Sequence, residues 1–93
     1  MEDESKFKFN ISDFRQILKE QNGKCYVTGR ELTGSNCDAE LIQPLNQNGK
    51  LNKSNICLII DSIRELKRYH TMDEIYKIAK DIVTVYESKK KKK

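Results

Sequence analysis

Ser54 to Tyr69, SNICLIIDSIRELKRY, is the stretch on which the fold turns. Ile56, Ile59, Ile60, Ile63 and Leu66 recur at three- and four-residue intervals, the spacing of one helical face. The stretch therefore predicts an amphipathic helix beginning near Ser54. On that reading Arg64, Lys67 and Arg68 occupy its polar side, with Asp61 and Glu65 among them as local counter-charges.

On the N-terminal side, the segment from Lys24 to about Gln43 breaks into short apolar pieces. Gly29 and the cluster Thr33-Gly34-Ser35-Asn36 separate them, which predicts two short antiparallel strands, roughly Cys25–Val27 and Ala39–Gln43. Pro44 ends the second strand, and LNQNGKLNKS follows as a polar loop with an Asn-Gly turn. Further upstream, FNISDFRQILKEQNG reads as a helix. Asn10 caps it with Asp13 three positions on, Phe9 staples against Phe14, Phe14, Ile17 and Leu18 share a face, and Gly23 marks the end.

On the C-terminal side, Thr71-Met-Asp-Glu74 is a capping box. Ile75, Ile78, Ala79, Ile82 and Val85 form the apolar stripe of a last helix running into the lysine tail. The fold class expected is α+β: a two-stranded antiparallel hairpin plus helix, flanked by an N-terminal and a C-terminal helix. A hairpin alone is marginal in water, so the helices must pack on it. Residues 9–87 are expected to form the one domain, between a flexible acidic N-terminus (1–8) and a lysine tail (88–93).

The chain of 93 residues carries a net charge of +4, but the basicity is unevenly placed. Five of its 18 basic residues are Lys89–Lys93, which leaves 13 against 14 acidic ones. The body is thus nearly neutral, and the tail is either a phosphate-contacting element or a solvated run of like charge. No apolar run approaches the roughly 18 residues of a membrane span. MEDESKFKF lacks the apolar core of a signal peptide, so the expected location is the cytoplasm. Cys25, Cys37 and Cys57 are an odd set without a Cys-x-x-Cys pair, which predicts free thiols packed as small core residues. A zinc site from these three and His70, the one histidine, lacks the short ligand pairs of structural zinc. Tyr26, Tyr69, Tyr76 and Tyr86 are base-stacking platforms or, more commonly, core-edge residues.

QNGKCYVTGRELT, a strand ending in proline, a Gly-containing polar loop, LNKSNICLI and a final Thr-x-x-Glu cap together resemble the HNH endonucleases. Those are small nucleases built as a ββα fold around one metal ion, and the resemblance covers about Phe9 to Val85. Cys25 and Thr28-Gly29 match the first element of the family, Pro44 the proline of its strand, and Asn55-Ile56 the middle of its third element. The resemblance puts Glu40 at the acidic position and Leu41 where the family has its histidine. Ile60 and Arg64 fall where the later metal-binding His and Asn belong.

These departures remove chemistry. In the family the strand histidine is the general base for an attacking water, and a divalent metal stabilises the charge developing on phosphorus and on the leaving oxygen. Leucine accepts no proton, isoleucine binds no metal, and Arg64 brings a fixed cation to a cation's place. No catalytic residue, metal or cofactor is therefore expected; Glu40, Leu41, Asn55, Ile60 and Arg64 are vestigial positions. Asn55 has a structural task instead, its amide bonding backbone groups of the preceding loop to pin hairpin and helix together.

The leading expectation is an inactive HNH-like protein that binds nucleic acid, DNA ahead of RNA, with a history in phages or other mobile elements. Its contacts would be Lys50, Lys53, Arg64, Lys67, Arg68, His70 and Lys89, Lys90, Lys91, Lys92 and Lys93. A second reading keeps the enzyme: Glu40 or Asp38 with Asp61 would hold Mg²⁺ or another divalent metal, with His70 as a relocated base. A third is an interaction or inhibitor module for a protein partner on a reused nuclease fold.

Overall fold

The computed structural model describes residues 9–91. The acidic segment 1–8, Lys92 and Lys93 lie outside them.

Asn10 opens helix α1 (Ile11–Glu20) as its sequence predicts. The Asn10 side-chain oxygen accepts from the Asp13 backbone N–H at 2.9 Å, and the Asp13 carboxylate accepts from the Asn10 N–H at 3.3 Å. Phe9 meets Phe14 edge to face, with ring centroids 6.4 Å apart. Ile17 is buried, and Phe14 and Leu18 pack beside it.

The next segment departs from expectation. Cys25–Val27 leads into a turn and is not a strand; an isolated bridge, Lys24↔Glu31, lies just before it. The segment's backbone N–H groups are used elsewhere, Cys25 N–H donating to Arg30 C=O at 2.7 Å and Tyr26 N–H to Leu58 C=O at 2.9 Å. The Cys25 Sγ accepts from the backbone N–H of Thr28 at 3.4 Å and of Ile60 at 3.4 Å, and Gly29 closes the turn at φ 75°.

Strand β1 spans Cys37–Leu41, two residues earlier than the predicted second strand, and strand β2 spans Ile56–Ile60. They pair antiparallel from Cys37↔Ile60 to Leu41↔Ile56. The hairpin therefore joins residues on both sides of the Pro44 loop. The first half of the predicted helix is a strand, and helix α2 is confined to Arg64–Tyr69 after a 3₁₀ turn at Asp61–Ile63.

The reason is burial on both faces. All five residues of β2 are buried: Ile56 and Leu58 pack with Ile17 and Leu41 under α1, while Cys57, Ile59 and Ile60 pack with Cys25. A strand covered on both sides loses the alternation that marks a half-exposed one, and its apolar run matches helical spacing as well. The β2 edge away from β1 is also covered. The Gln21 side chain bonds both backbone groups of Leu58, at 3.0 and 2.9 Å, and Tyr26 N–H donates to Leu58 C=O at 2.9 Å.

Helix α3 (Met72–Lys91) begins at the expected box: Thr71 N–H donates to the Glu74 carboxylate at 2.9 Å, and Glu74 N–H donates to the Thr71 hydroxyl at 3.3 Å. It runs through Lys89, Lys90 and Lys91, so the described part of the tail is helical. The architecture is α+β, with a two-stranded antiparallel sheet and three helices, and β1, β2 and α2 form a ββα unit. Among the described residues no helix is long and apolar enough to cross a membrane.

Candidate functional site

The loop between β1 and β2 is held by one amide. The Asn55 side-chain oxygen accepts from Gln43 N–H at 2.8 Å, and its nitrogen donates to Gln43 C=O at 3.0 Å and Lys50 C=O at 2.9 Å. Asn55 thus pins the hairpin's own loop, where hairpin and following helix were expected. Within the loop, Asn48 takes φ 69° and Gly49 lies so close to Gln43 that a Cβ there would overlap the Gln43 carbonyl. Gln47 reaches Glu74 at 2.8 Å and ties the loop to α3. This bond comes first among the causes that hold the Glu74 carboxyl below its ordinary range, followed by the backbone N–H of Thr71.

Beside this loop lies a cleft of about 610 Å³. Its apolar lining comes from Phe9, Ala39, Leu41, Leu45, Leu51, Ile56 and the ring of Tyr69, and Glu40, Asn46 and Arg68 are its polar groups. Glu40 and Leu41, expected as vestigial positions, both line this cleft. Leu41 is buried, and Glu40 pairs with the Arg68 guanidinium at 3.6 Å. Ile60 and Arg64 do not share a helix: Ile60 ends β2 in the core and Arg64 opens α2. Asp61 is in the intervening 3₁₀ turn, and among the described residues no three His, Cys, Asp or Glu side chains gather into a group that could hold a metal.

Lys67 overturns its expected place on the polar side of the helix. Its side chain is fully buried behind the cleft, and the ammonium donates to Leu41 C=O at 2.7 Å, Ile42 C=O at 2.7 Å and His70 C=O at 2.9 Å. All three N–H donors are used, so Lys67 has none left for phosphate. Burial lowers its pKa, opposed by Cys57, Glu40 and Glu74. Opposite Glu40 on β2, burial pushes the Cys57 thiol up to about 12, the Lys67 charge opposing and Glu40 adding to the rise. Burial also tends to raise the Cys25 thiol, but the hydrogen bonds from Thr28, Ile60 and Val27 outweigh it and leave that pKa lowered.

The remaining basic residues divide. Arg68 and Arg64 are exposed, each beside Glu65 at 3.8 Å; Lys53 pairs with Asp13 at 3.2 Å; Lys50, Lys89 and Lys90 are exposed. His70 is half-buried, its Nδ1 2.8 Å from Leu66 C=O, which requires the proton on Nδ1. Tyr26, Tyr69, Tyr76 and Tyr86 are all exposed, Tyr69 at the cleft beside the buried Leu41 and Ile56 and Tyr76 and Tyr86 along α3. Cys25 and Cys57 are buried and Cys37 half-buried, all as free thiols.

Sequence reasoning missed Phe9, Leu45, Asn46 and Leu51 as cleft residues. The available signal was two leucines flanking the Asn-Gly turn inside an otherwise polar loop, where solvation gives them no reason to be. Fold and site together define a small α+β domain with a ββα unit and an apolar cleft edged by an arginine. Compared with protein-family models, curated proteins and solved structures, the chain matches none of them.

Proposed function

We propose that this chain is an inactive HNH-like module that binds nucleic acid at its cleft, with one exposed base on the apolar floor and phosphates on the rim. The observation that carries this is the cleft itself, with Leu41 in its wall, Tyr69 half out of it and Arg68 at its edge. An apolar floor next to an aromatic ring suits an unstacked base, and Arg68, Arg64 and Lys50 supply cations around it. The inactive part of the reading is supported by Leu41, a side chain that accepts no proton, lining the cleft at the position where the resemblance expects a general base. The cytoplasm, of a host cell where the chain is viral, is the compartment this reading implies.

A protein partner is the second reading, favoured by one specific observation. Arg64 and Arg68 stand among Glu40 and Glu65, so the rim is close to neutral while the floor is apolar.

Titration of labelled single-stranded and duplex DNA and RNA against the chain, across a salt series, tests the first reading. Binding that weakens with salt and falls on Arg68→Ala and Tyr69→Ala is expected. No binding at low salt to any of the four would replace it with the protein partner. Incubation of plasmid with Mg²⁺, Mn²⁺ or Zn²⁺ is expected to leave it intact; nicking abolished by Glu40→Ala would restore the enzyme.

A further inference from the structure

The two edges of the sheet are treated unequally. Asp61 N–H donates to Asn36 C=O at 2.7 Å and Ile42 N–H to Asn55 C=O at 2.8 Å, which fixes the alternation along the ladder. The even-numbered residues of β1 bond to β2, and Cys37, Ala39 and Leu41 turn their backbone groups to the outer edge. At Leu41 both groups are used, the N–H on the Glu40 carboxylate at 3.3 Å and the C=O on the Lys67 ammonium at 2.7 Å. At Cys37 and Ala39 no hydrogen bond from another described residue reaches them, and Ala39 is exposed. The cleft lies at this same edge. Ala39, Glu40 and Leu41 all line it, although successive residues of a strand point to opposite faces, so it opens along the edge between the faces. What such an edge takes is another extended backbone. Its side chains narrow the choice: Ala39 and Leu41 are apolar on one face, and Asp38 and Glu40 are acidic on the other. Glu40 is paired with Arg68, whereas Asp38 has no ion-pair partner among the described residues. A second copy of β1 would set Asp38 against Asp38 or Glu40, which like charges disfavour. The edge suits a strand in which apolar and basic residues alternate.

We infer that this strand is residues 5–8 of the same chain, Ser-Lys-Phe-Lys, which directly precede Phe9. Lys6-Phe7-Lys8-Phe9 alternates basic and apolar residues, the period of a half-buried strand. Phe9 already lines the cleft with Leu41. Leu41 is two residues on from Ala39, as Phe9 is from Phe7, so a strand running beside β1 in the same direction sets Phe7 by Ala39. Lys6 then stands by Asp38 and Lys8 by Glu40. In that register Ala39 N–H donates to Lys6 C=O, and Ala39 C=O accepts from Lys8 N–H. The sheet gains a third strand, and Phe7 covers part of the cleft. Where nucleic acid enters the cleft this strand competes with it, but the inference does not depend on nucleic-acid binding.

Amide hydrogen exchange of the full chain, followed residue by residue by NMR without nucleic acid, tests it. The Ala39 amide is expected to exchange at least about tenfold more slowly than in Phe7→Asp, at the same rate in dilute and concentrated samples. The Leu58 amide, held by Gln21 within the body, is expected to exchange alike in both chains. A nuclear Overhauser contact between the Phe7 ring and the Ala39 methyl group is expected in the unaltered chain. Charge supplies a second readout: Asp38→Lys should speed exchange at Ala39, and Asp38→Lys with Lys6→Asp should slow it again. Fast exchange at Ala39 in the unaltered chain overturns the proposal, as does protection indifferent to Phe7→Asp. So does protection that needs a concentrated sample, which a second copy would give, or a charge exchange that restores nothing.

Discussion

The hairpin–helix junction and the outer half of α3 are built on opposite terms. At the junction, β2 is buried residue by residue, and the charge at its centre, Lys67, has all three donors engaged. On outer α3 the charged groups are solvated and, among the described residues, Ile82, Val83, Val85 and Tyr86 are each more than half exposed. Mutations of similar chemical size should therefore have very different effects in the two places. The junction sets the stability of the fold, and the outer helix is free to serve contacts beyond it.

The largest effect is expected from Lys67→Met, which keeps the volume and removes the ammonium. Three carbonyls lose their donor, and urea unfolding should show a loss of roughly 3 kcal/mol or more, since each buried unpaired acceptor costs about 1–3 kcal/mol. A fully stable variant would mean the ammonium only fills space. Leu58→Ala, in the middle of β2, should cost about 2–5 kcal/mol by leaving a cavity, with the denaturant slope unchanged.

Alkaline pH gives a graded version of the same comparison. Unfolded, the Cys57 thiol ionises near 9, while in the fold it stays protonated to about 12. Its contribution is complete below pH 9 and is lost as pH rises toward 12, by at most about 1.4 kcal/mol per pH unit. Lys67 acts in the opposite sense below 10.5, because the folded chain releases that proton earlier. Cys57→Ala should flatten the decline in melting temperature above pH 9; an unchanged profile would assign it elsewhere.

Asn10→Ala removes the α1 cap and should cost about 1 kcal/mol in the same unfolding assay. At the small end, Ile82→Ala on outer α3 should change the unfolding free energy of the dilute chain by no more than about 0.5 kcal/mol. A loss as large as that of Leu58→Ala would erase the contrast between the two regions.

What could be read from the amino acids followed how local each interaction is. The two caps, Asn10 with Asp13 and Thr71 with Glu74, were legible because two residues three positions apart carry the whole motif. The overall α+β class was legible for a similar reason, since helix caps and turn residues punctuate the chain. Ile56–Ile60 was not, because only its neighbours on both faces decide between strand and helix, and those neighbours come from α1 and the Cys25 turn. Lys67 was hidden for a related reason. Its caging carbonyls belong to Leu41, Ile42 and His70, and no side-chain type announces where a carbonyl will point. The cleft beside Leu41 was not legible, because it needed Phe9, ahead of α1, to be brought against Leu45 and Leu51 of the β1–β2 loop.

Ile-Cys-Leu-Ile-Ile is also the segment of this chain best suited to stack into cross-β fibres, being apolar, uncharged and free of proline and glycine. The Gln21 amide and the Tyr26 N–H sit on the one edge that β1 leaves open, acting as gatekeepers without being strands. Gln21→Ala would unlatch that edge, and the cost would appear less in the melting temperature than in the lag time before the protein aggregates.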